Sequence, residues 1–328
     1  MVGGVQQVVH RISVVVPVYQ GRDTLEPLVA RLSALTEPTT TPGGAQLQVA
    51  EVVLVHDCGG DGSDEVIDKL AAAHRFVQPI WLSRNFGQHA ATLAGIAATS
   101  ASWVATLDED GMHDPSDLAR LLDAGLAAQA QLIYGKPDLP PPHGAFRNWL
   151  SISAKRVFAF LAENTAFTEF HSFRLIHGEI ARSLAAFCGN GVYLDVALAW
   201  VVGSAIACPV RYHSAETRPS GYDFPRLIGH FFRLALTSGT KPLRFISILG
   251  CLSLLFAAAF SVYVIFEKVT QQIPIAGWAS SVIIMAWIGG AILFSLGVIS
   301  EYLGLALTIV MGKPLYLVVS NRERKDRP

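Results

Sequence analysis

Trp103-Val-Ala-Thr-Leu-Asp-Glu-Asp-Gly-Met-His-Asp-Pro115 runs from an apolar stretch, Trp103 to Leu107, straight into alternating carboxylates, Asp108 and Asp110. A buried strand that ends in two such side chains presents both at one edge of a sheet. Hard cations such as Mg²⁺ or Mn²⁺ take oxygen ligands, so these aspartates, together with a ligand's diphosphate, form a seat for a divalent metal. The same pattern also serves as a capped turn. What decides between the two lies in the rest of the chain.

Upstream and downstream of this stretch, short β-branched runs alternate with helical periodicity, the mark of a mostly parallel sheet covered by helices. Strands are expected at Ile12–Val16, Glu51–Val55, Gln78–Leu82, Trp103–Leu107 and Gln131–Tyr134. Helices are expected at Thr24–Leu35, Ser63–His74, Gln88–Thr99 and Pro115–Ala128, with Glu37–Gln48 a surface loop. In open α/β sheets ligands bind beyond the carboxyl ends of the strands. The unusual polar residues cluster there: Pro17 to Tyr19, His56 to Asp61, Ser83 to Gly87 and Asp108 to Asp114.

At 51% hydrophobic and 16% charged residues, with a mean hydropathy of +0.40, the chain is too apolar for an ordinary soluble protein. The excess is concentrated in Phe245–Phe266, about 22 residues, and Ile275–Ser300, about 26; at roughly 1.5 Å per residue each crosses a hydrocarbon core of about 30 Å. Two transmembrane helices are expected. Arg226, Arg233, Lys241 and Arg244 precede the first, and Lys313, Arg322, Arg324, Lys325 and Arg327 follow the second, while the turn between them carries only Lys268. The positive-inside rule therefore puts the N-terminal part and the tail in the cytoplasm, in a multi-pass protein of the plasma (inner) membrane. Met1–His10 lacks the pattern of a signal peptide. A net charge of −1 and the absence of a basic cluster speak against nucleic acid as a partner. Cys58, Cys188, Cys208 and Cys251 show no paired spacing and read as thiols in a reducing compartment.

The succession Val14-Val-Val-Pro-Val-Tyr19, Val55-His-Asp-Cys-Gly-Gly-Asp-Gly-Ser63, Leu82-Ser-Arg-Asn-Phe-Gly87, Asp108-x-Asp110, two spans and Ser300-Glu-Tyr-Leu-Gly304 resembles the polyprenyl-phosphate glycosyltransferases of glycosyltransferase family two. The resemblance implies an α/β GT-A fold with a Rossmann-like sheet. It further implies transfer of a sugar from a nucleotide-sugar, a UDP-sugar foremost, to a polyprenyl phosphate, with Mg²⁺ or Mn²⁺ on Asp108 and Asp110. Pro17, Val18 and Tyr19 would face the nucleobase, Asp57 the base or ribose, and Arg84 and Asn85 would belong to the loop closing over the nucleotide. Phe173-Arg174-Leu175 is similar to an element whose arginine sits near the phosphates, and a planar guanidinium suits that role. Arg218, in Arg218-Pro-Ser-Gly-Tyr222, would meet the lipid phosphate or anchor a headgroup. Asp195 falls near the general base of relatives with hydroxyl acceptors; here it is a weak base or a helix cap.

One departure stands out. Where the family usually has paired aspartates, this chain has His56 and Asp57, so either an imidazole that accepts only when neutral reads the base, or His56 turns into the core and Asp57 reads alone. The expected layout is a catalytic domain over 1–222, interfacial helices over 223–244 (Phe224–Leu236 amphipathic), a hairpin over 245–304 and a tail over 305–328. Glu301 would end the second span, Lys136–Gly144 would be a mobile loop, and Lys313–Val318 would fold back on the catalytic domain. Small residues Gly289, Gly290, Ala291 and Gly297 suit homo-oligomeric packing of the spans. The chain has no Gln-x-x-Arg-Trp, the element of processive synthases, so one sugar is expected to be transferred. The alternatives are transfer to another membrane lipid, for which Asp195 would be a true base, and a non-catalytic paralogue whose donor site His56 has spoiled.

Overall fold

The computed structural model describes residues 8–138, 171–189, 193–211, 277–320 and scattered positions between 248 and 266. Two compact units emerge: one holds the described residues up to 211 together with 314–320, the other the helical residues from 248 to 313.

The first unit is built on valine. β1 (Val9–Val18) is sealed on both faces from Ile12 onward, as a central parallel strand must be. Side chains alternate across a strand, so Val14, Val16 and Val18 point to one apolar layer and Val15 to the other. β3 (Gln46–His56) repeats the division with Val52 and Leu54 against Val53 and Val55. On the first face lie α1 (Leu25–Ser33), α2 (Ser63–Ala73) and α4 (Leu118–Ala128), the last entered through a 3₁₀ turn at Pro115–Asp117. On the second lie α3 (Gln88–Ala97), α5 (Gly178–Phe187) and α6 (Leu194–Val201). Each fully buried Val, Leu or Ile contributes about 1.5–3 kcal/mol, so these two layers dominate the stability of the unit. α3 comes unusually close: a Cβ on Gly95 would sit 2.3 Å from Val15 Cγ1 and 2.8 Å from Val55 Cγ2.

The sheet is mixed rather than mostly parallel. Besides β1 and β3 it contains β2 (Thr39–Thr40), β4 (Val77–Leu82), β5 (Trp103–Thr106), β6 (Leu132–Pro137), β7 (Arg174–His177), β8 (Ala205–Val210) and β9 (Val318–Val319), in the order β8-β6-β7-β5-β1-β3-β4-β9, with β2 beside β3. β7 runs antiparallel to both β5 and β6, and β9 antiparallel to β4. Glu37–Gln48 is thus not one loop, because Thr39–Thr40 pairs with Gln46–Leu47 as a short hairpin. At the amino ends of the strands, far from the carboxylates of the opening stretch, buried Glu51 accepts hydrogen bonds from Ser13 Oγ at 2.6 Å, Gln78 Nε2 at 2.9 Å and Ser100 N at 2.7 Å. That single carboxylate, midway along β3, ties together β1, the start of β4 and the turn before β5.

In the second unit one helix, α7 (Trp278–Val310), is long and apolar enough to cross a membrane among the described residues. It runs ten residues past the expected end at Ser300, since one exposed Glu301 does not interrupt a helix. Gly312, with φ +62°, and Pro314 follow its end, the usual stop signals. The described positions of the expected first span, among them Ile248, Leu252, Phe256 and Phe260, are helical and exposed, and the rest of that span lies outside the described residues, as does Phe224–Leu236.

Candidate active site

The carboxyl ends of β1, β3, β4 and β5 converge on a cavity of about 360 Å³ lined by Pro17, Val18, Tyr19, Asp57, Asn85, Gly87, Gln88, Asp108, Glu109 and Asp110. Its wall is made of four loops, and two of them, after β1 and after β4, are held by carboxylates from the exits of neighbouring strands. Asp57 is buried, and its two oxygens accept the amides of Phe86 at 2.7 Å and Gly87 at 2.8 Å, fixing the loop before α3. Burial pushes the Asp57 carboxyl up from its ordinary range, with those two amides pulling the other way. Glu109 accepts the amides of Tyr19 and Gln20, both at 2.9 Å, fixing the loop after β1. Asp61 accepts the amides of Arg22 at 3.0 Å and Ser63 at 3.1 Å; burial raises its carboxyl, but these bonds outweigh it and hold it low.

Asp108 is gripped from two sides, Oδ1 by Gln88 Nε2 at 2.6 Å and Oδ2 by the Ser172 hydroxyl. Asp110 closes a small turn by accepting the Met112 amide at 3.0 Å. Among the described residues no three metal-ligating side chains cluster. The pair alone is an all-oxygen donor set, which fits a hard cation that takes its remaining ligands from a bound molecule and water. His113, buried beside Phe173 at 5.1 Å between ring centroids, is held below its usual pKa by burial, against the pull of Asp108 and Asp110.

Several expected residues are placed elsewhere. His56 is 4% exposed with its ring 5.5 Å from that of Trp81, in the core, and does not line the cavity; the aspartate beside it does. Arg84 lies over the Phe86 ring at 4.6 Å, outside the lining, whereas Asn85 is in it. Arg174 and Asp195, read from sequence as a phosphate ligand and a base or cap, form one buried ion pair, and Tyr134 Oη donates to the same aspartate at 3.0 Å. Burial, then the Asp195 charge, drives the Tyr134 phenol far up. Neither Arg174 nor Asp195 lines the cavity, yet a chain of bonds links them to it. Arg174 Nε donates to Ser172 O at 3.3 Å, Thr106 Oγ1 to the same carbonyl at 2.6 Å, and the Ser172 hydroxyl to Asp108. Arg218 lies outside the described residues.

Glu109, Gln88, Ser172 and Tyr134 escaped the sequence reading. Glu109 alone had a signal, being the third acidic residue of Asp108-Glu-Asp110.

The model of "Glycosyl transferase family 2" matches residues 13–184. Mannosyl-3-phosphoglycerate synthase from Rubrobacter xylanophilus is similar in fold at 15% identity and TM-score 0.51, over 72% of this chain and 74% of that one. Weaker likenesses are to glucosyl-3-phosphoglycerate synthase from Mycobacterium tuberculosis, solved with Mn²⁺, UDP and phosphoglyceric acid (17%, TM-score 0.47, 70% and 77%) and to S. aureus TarS 1-349 with UDP-GlcNAc (16%, TM-score 0.45, 70% and 66%). The chain thus spans just under two thirds of the TarS fragment.

Proposed function

The chain belongs to glycosyl transferase family 2, and from that premise we propose that it moves one sugar from a nucleotide-sugar, foremost a UDP-sugar, to a polyprenyl phosphate at the cytoplasmic face of a membrane. The observation that carries the reading is the cavity in which the Asp108 and Asp110 carboxylates meet the Tyr19 loop and the Asn85–Gly87 loop. A nucleoside would lie against Pro17 to Tyr19, with its diphosphate toward the aspartates. Asp108 and Asp110 would hold Mg²⁺ or Mn²⁺, which when bound supplies positive charge against the departing diphosphate. The Ser172 and Gln88 bonds keep Asp108 aimed, and Asp57 keeps the Phe86–Gly87 amides in place before substrate arrives.

The acceptor's phosphate oxygen would attack the anomeric carbon from the face opposite the leaving group. The carbon–oxygen bond to the nucleoside diphosphate breaks, its electron pair leaves with the diphosphate, and configuration inverts. A phosphate monoester with a second pKa of about 6 is already anionic at neutral pH and needs little help from a base. The Arg174–Asp195 pair favours this acceptor over a hydroxyl lipid, because Asp195 is engaged by Arg174 and Tyr134 and stands outside the cavity lining. The exposed apolar surface of α7 supports a membrane setting.

The test is incubation of detergent-purified protein with undecaprenyl phosphate, Mg²⁺ or Mn²⁺, and UDP-, GDP- and dTDP-sugars, following lipid mass and nucleoside diphosphate release. A glycosylated lipid phosphate that disappears in Asp110→Asn is the expected result. A folded protein that turns over no donor would sink the reading.

A further inference from the structure

Glu109 lies between the two proposed metal ligands, yet its carboxylate turns to the neighbouring loop, with one oxygen on the Tyr19 amide and the other on the Gln20 amide. The fit leaves no slack, since a Cβ on Gly21 would stand 2.7 Å from Glu109 Oε2. Behind the loop, Asp57 N donates to Val18 O at 2.7 Å, and Tyr19 O abuts Gly59, where a Cβ would be 1.5 Å away. The loop that faces the nucleoside side of the cavity is therefore wedged against one strand's exit and tied to the exit of the strand bearing Asp108 and Asp110. A displacement of either end is transmitted through one side chain.

We infer that Glu109 is a positioning residue that couples the metal pair to the nucleoside loop, so that occupancy of one tightens the other through the protein. The inference rests on the donor site proposed above. Linkage makes the effect reciprocal, and coupling factors of this kind commonly run from about fivefold upward. A diphosphate bridges the two positions directly, so the probe must lack one. Nucleosides satisfy that condition.

The experiment measures Mn²⁺ affinity of the full chain from the electron paramagnetic resonance signal of free Mn²⁺, alone and with saturating uridine, guanosine or thymidine. In the wild type one nucleoside is expected to tighten Mn²⁺ about fivefold or more. Glu109→Gln leaves one acceptor for two amides, and Glu109→Asp keeps the charge but is one methylene too short to reach both. Both should lose the coupling, read as the ratio of Mn²⁺ affinities with and without nucleoside. Retention of wild-type coupling in Glu109→Asp would show a charge effect and overturn the clamp, as would its absence in a wild type that binds UDP, GDP or dTDP with Mn²⁺. A wild type that binds none of these diphosphates would remove the donor site itself.

Discussion

A carboxylate's work is decided by what its oxygens already hold. Asp195 was legible as unusual, a lone charge in Leu194-Asp-Val-Ala-Leu-Ala, but its partner sits 21 residues earlier on another element, and no spacing rule joins a strand to a helix across a layer. Removing one member of a buried pair strands the other charge and costs about 3–5 kcal/mol, whereas replacing both with apolar residues is often neutral. Arg174→Met and Asp195→Leu should each lower stability by about that amount, and the double variant should recover most of it, as read from denaturation of the full protein in detergent. Asp195 as a base would instead show as lost turnover in Asp195→Asn, which leaves Arg174 and the Ser172 bonds in place.

Gly59 gives a second test at this scale, because its requirement is steric and local. A Cβ there meets the Tyr19 carbonyl, which is backbone and has nowhere to go, while the neighbouring Gly60 faces open space. Gly59→Ala should cost about 1–3 kcal/mol and weaken nucleoside diphosphate binding at least about tenfold, roughly 1.4 kcal/mol. Gly60→Ala should change binding less than about twofold, or under 0.5 kcal/mol, in the same titration. Equal effects of the two would deny the wedge between the loops.

Among elements, those before residue 138, where strands and helices alternate, were readable apart from the two-residue β2, and the later strands and helices of the sheet's unit were not. β1, β3 and the helices over the first 130 residues fall where the valine runs and the 3.6-residue period put them, with ends shifted by a few residues. β7 and β9 pair antiparallel with strands distant in the chain, and nothing in their residues gives the direction of pairing, so the insertions that make the sheet mixed could not be seen. The fold-back of Lys313–Val318 on the catalytic domain was expected. Its form was not: Val318 and Val319 pair with Leu82 and Trp81, and the Leu317 carbonyl accepts the Ser83 amide at 2.8 Å. This strand therefore covers the edge of β4, whose exit is the Arg84–Gly87 loop. Proline at 318 brings a ring and no amide hydrogen to the ladder. Val318→Pro should speed amide exchange across residues 83–87 and raise the donor's KM several-fold with a smaller change in kcat; unchanged exchange there would mean that the strand does not support the loop.

For the whole molecule, the same pairing constrains topology. Residues 314–320 lie in the sheet's own unit, so both must be on one side of any bilayer the chain crosses. The number of crossings between Arg211 and Pro314 is then even. If α7 crosses once, a second crossing must lie in 212–277, and Phe245–Phe266 is the one uncharged stretch there long enough to make it. The proposed hairpin thus gains support from a two-residue strand outside the membrane. Single cysteines placed in a variant lacking the native four should report it. In sealed right-side-out vesicles a membrane-impermeant maleimide is expected to label positions in 267–274 and to spare Ser320 and residues of the Glu37–Gly44 segment. Labelling of Ser320 together with 267–274 would leave α7 uncrossed, and labelling of Ser320 without the Glu37–Gly44 segment would separate the tail from the sheet that β9 completes.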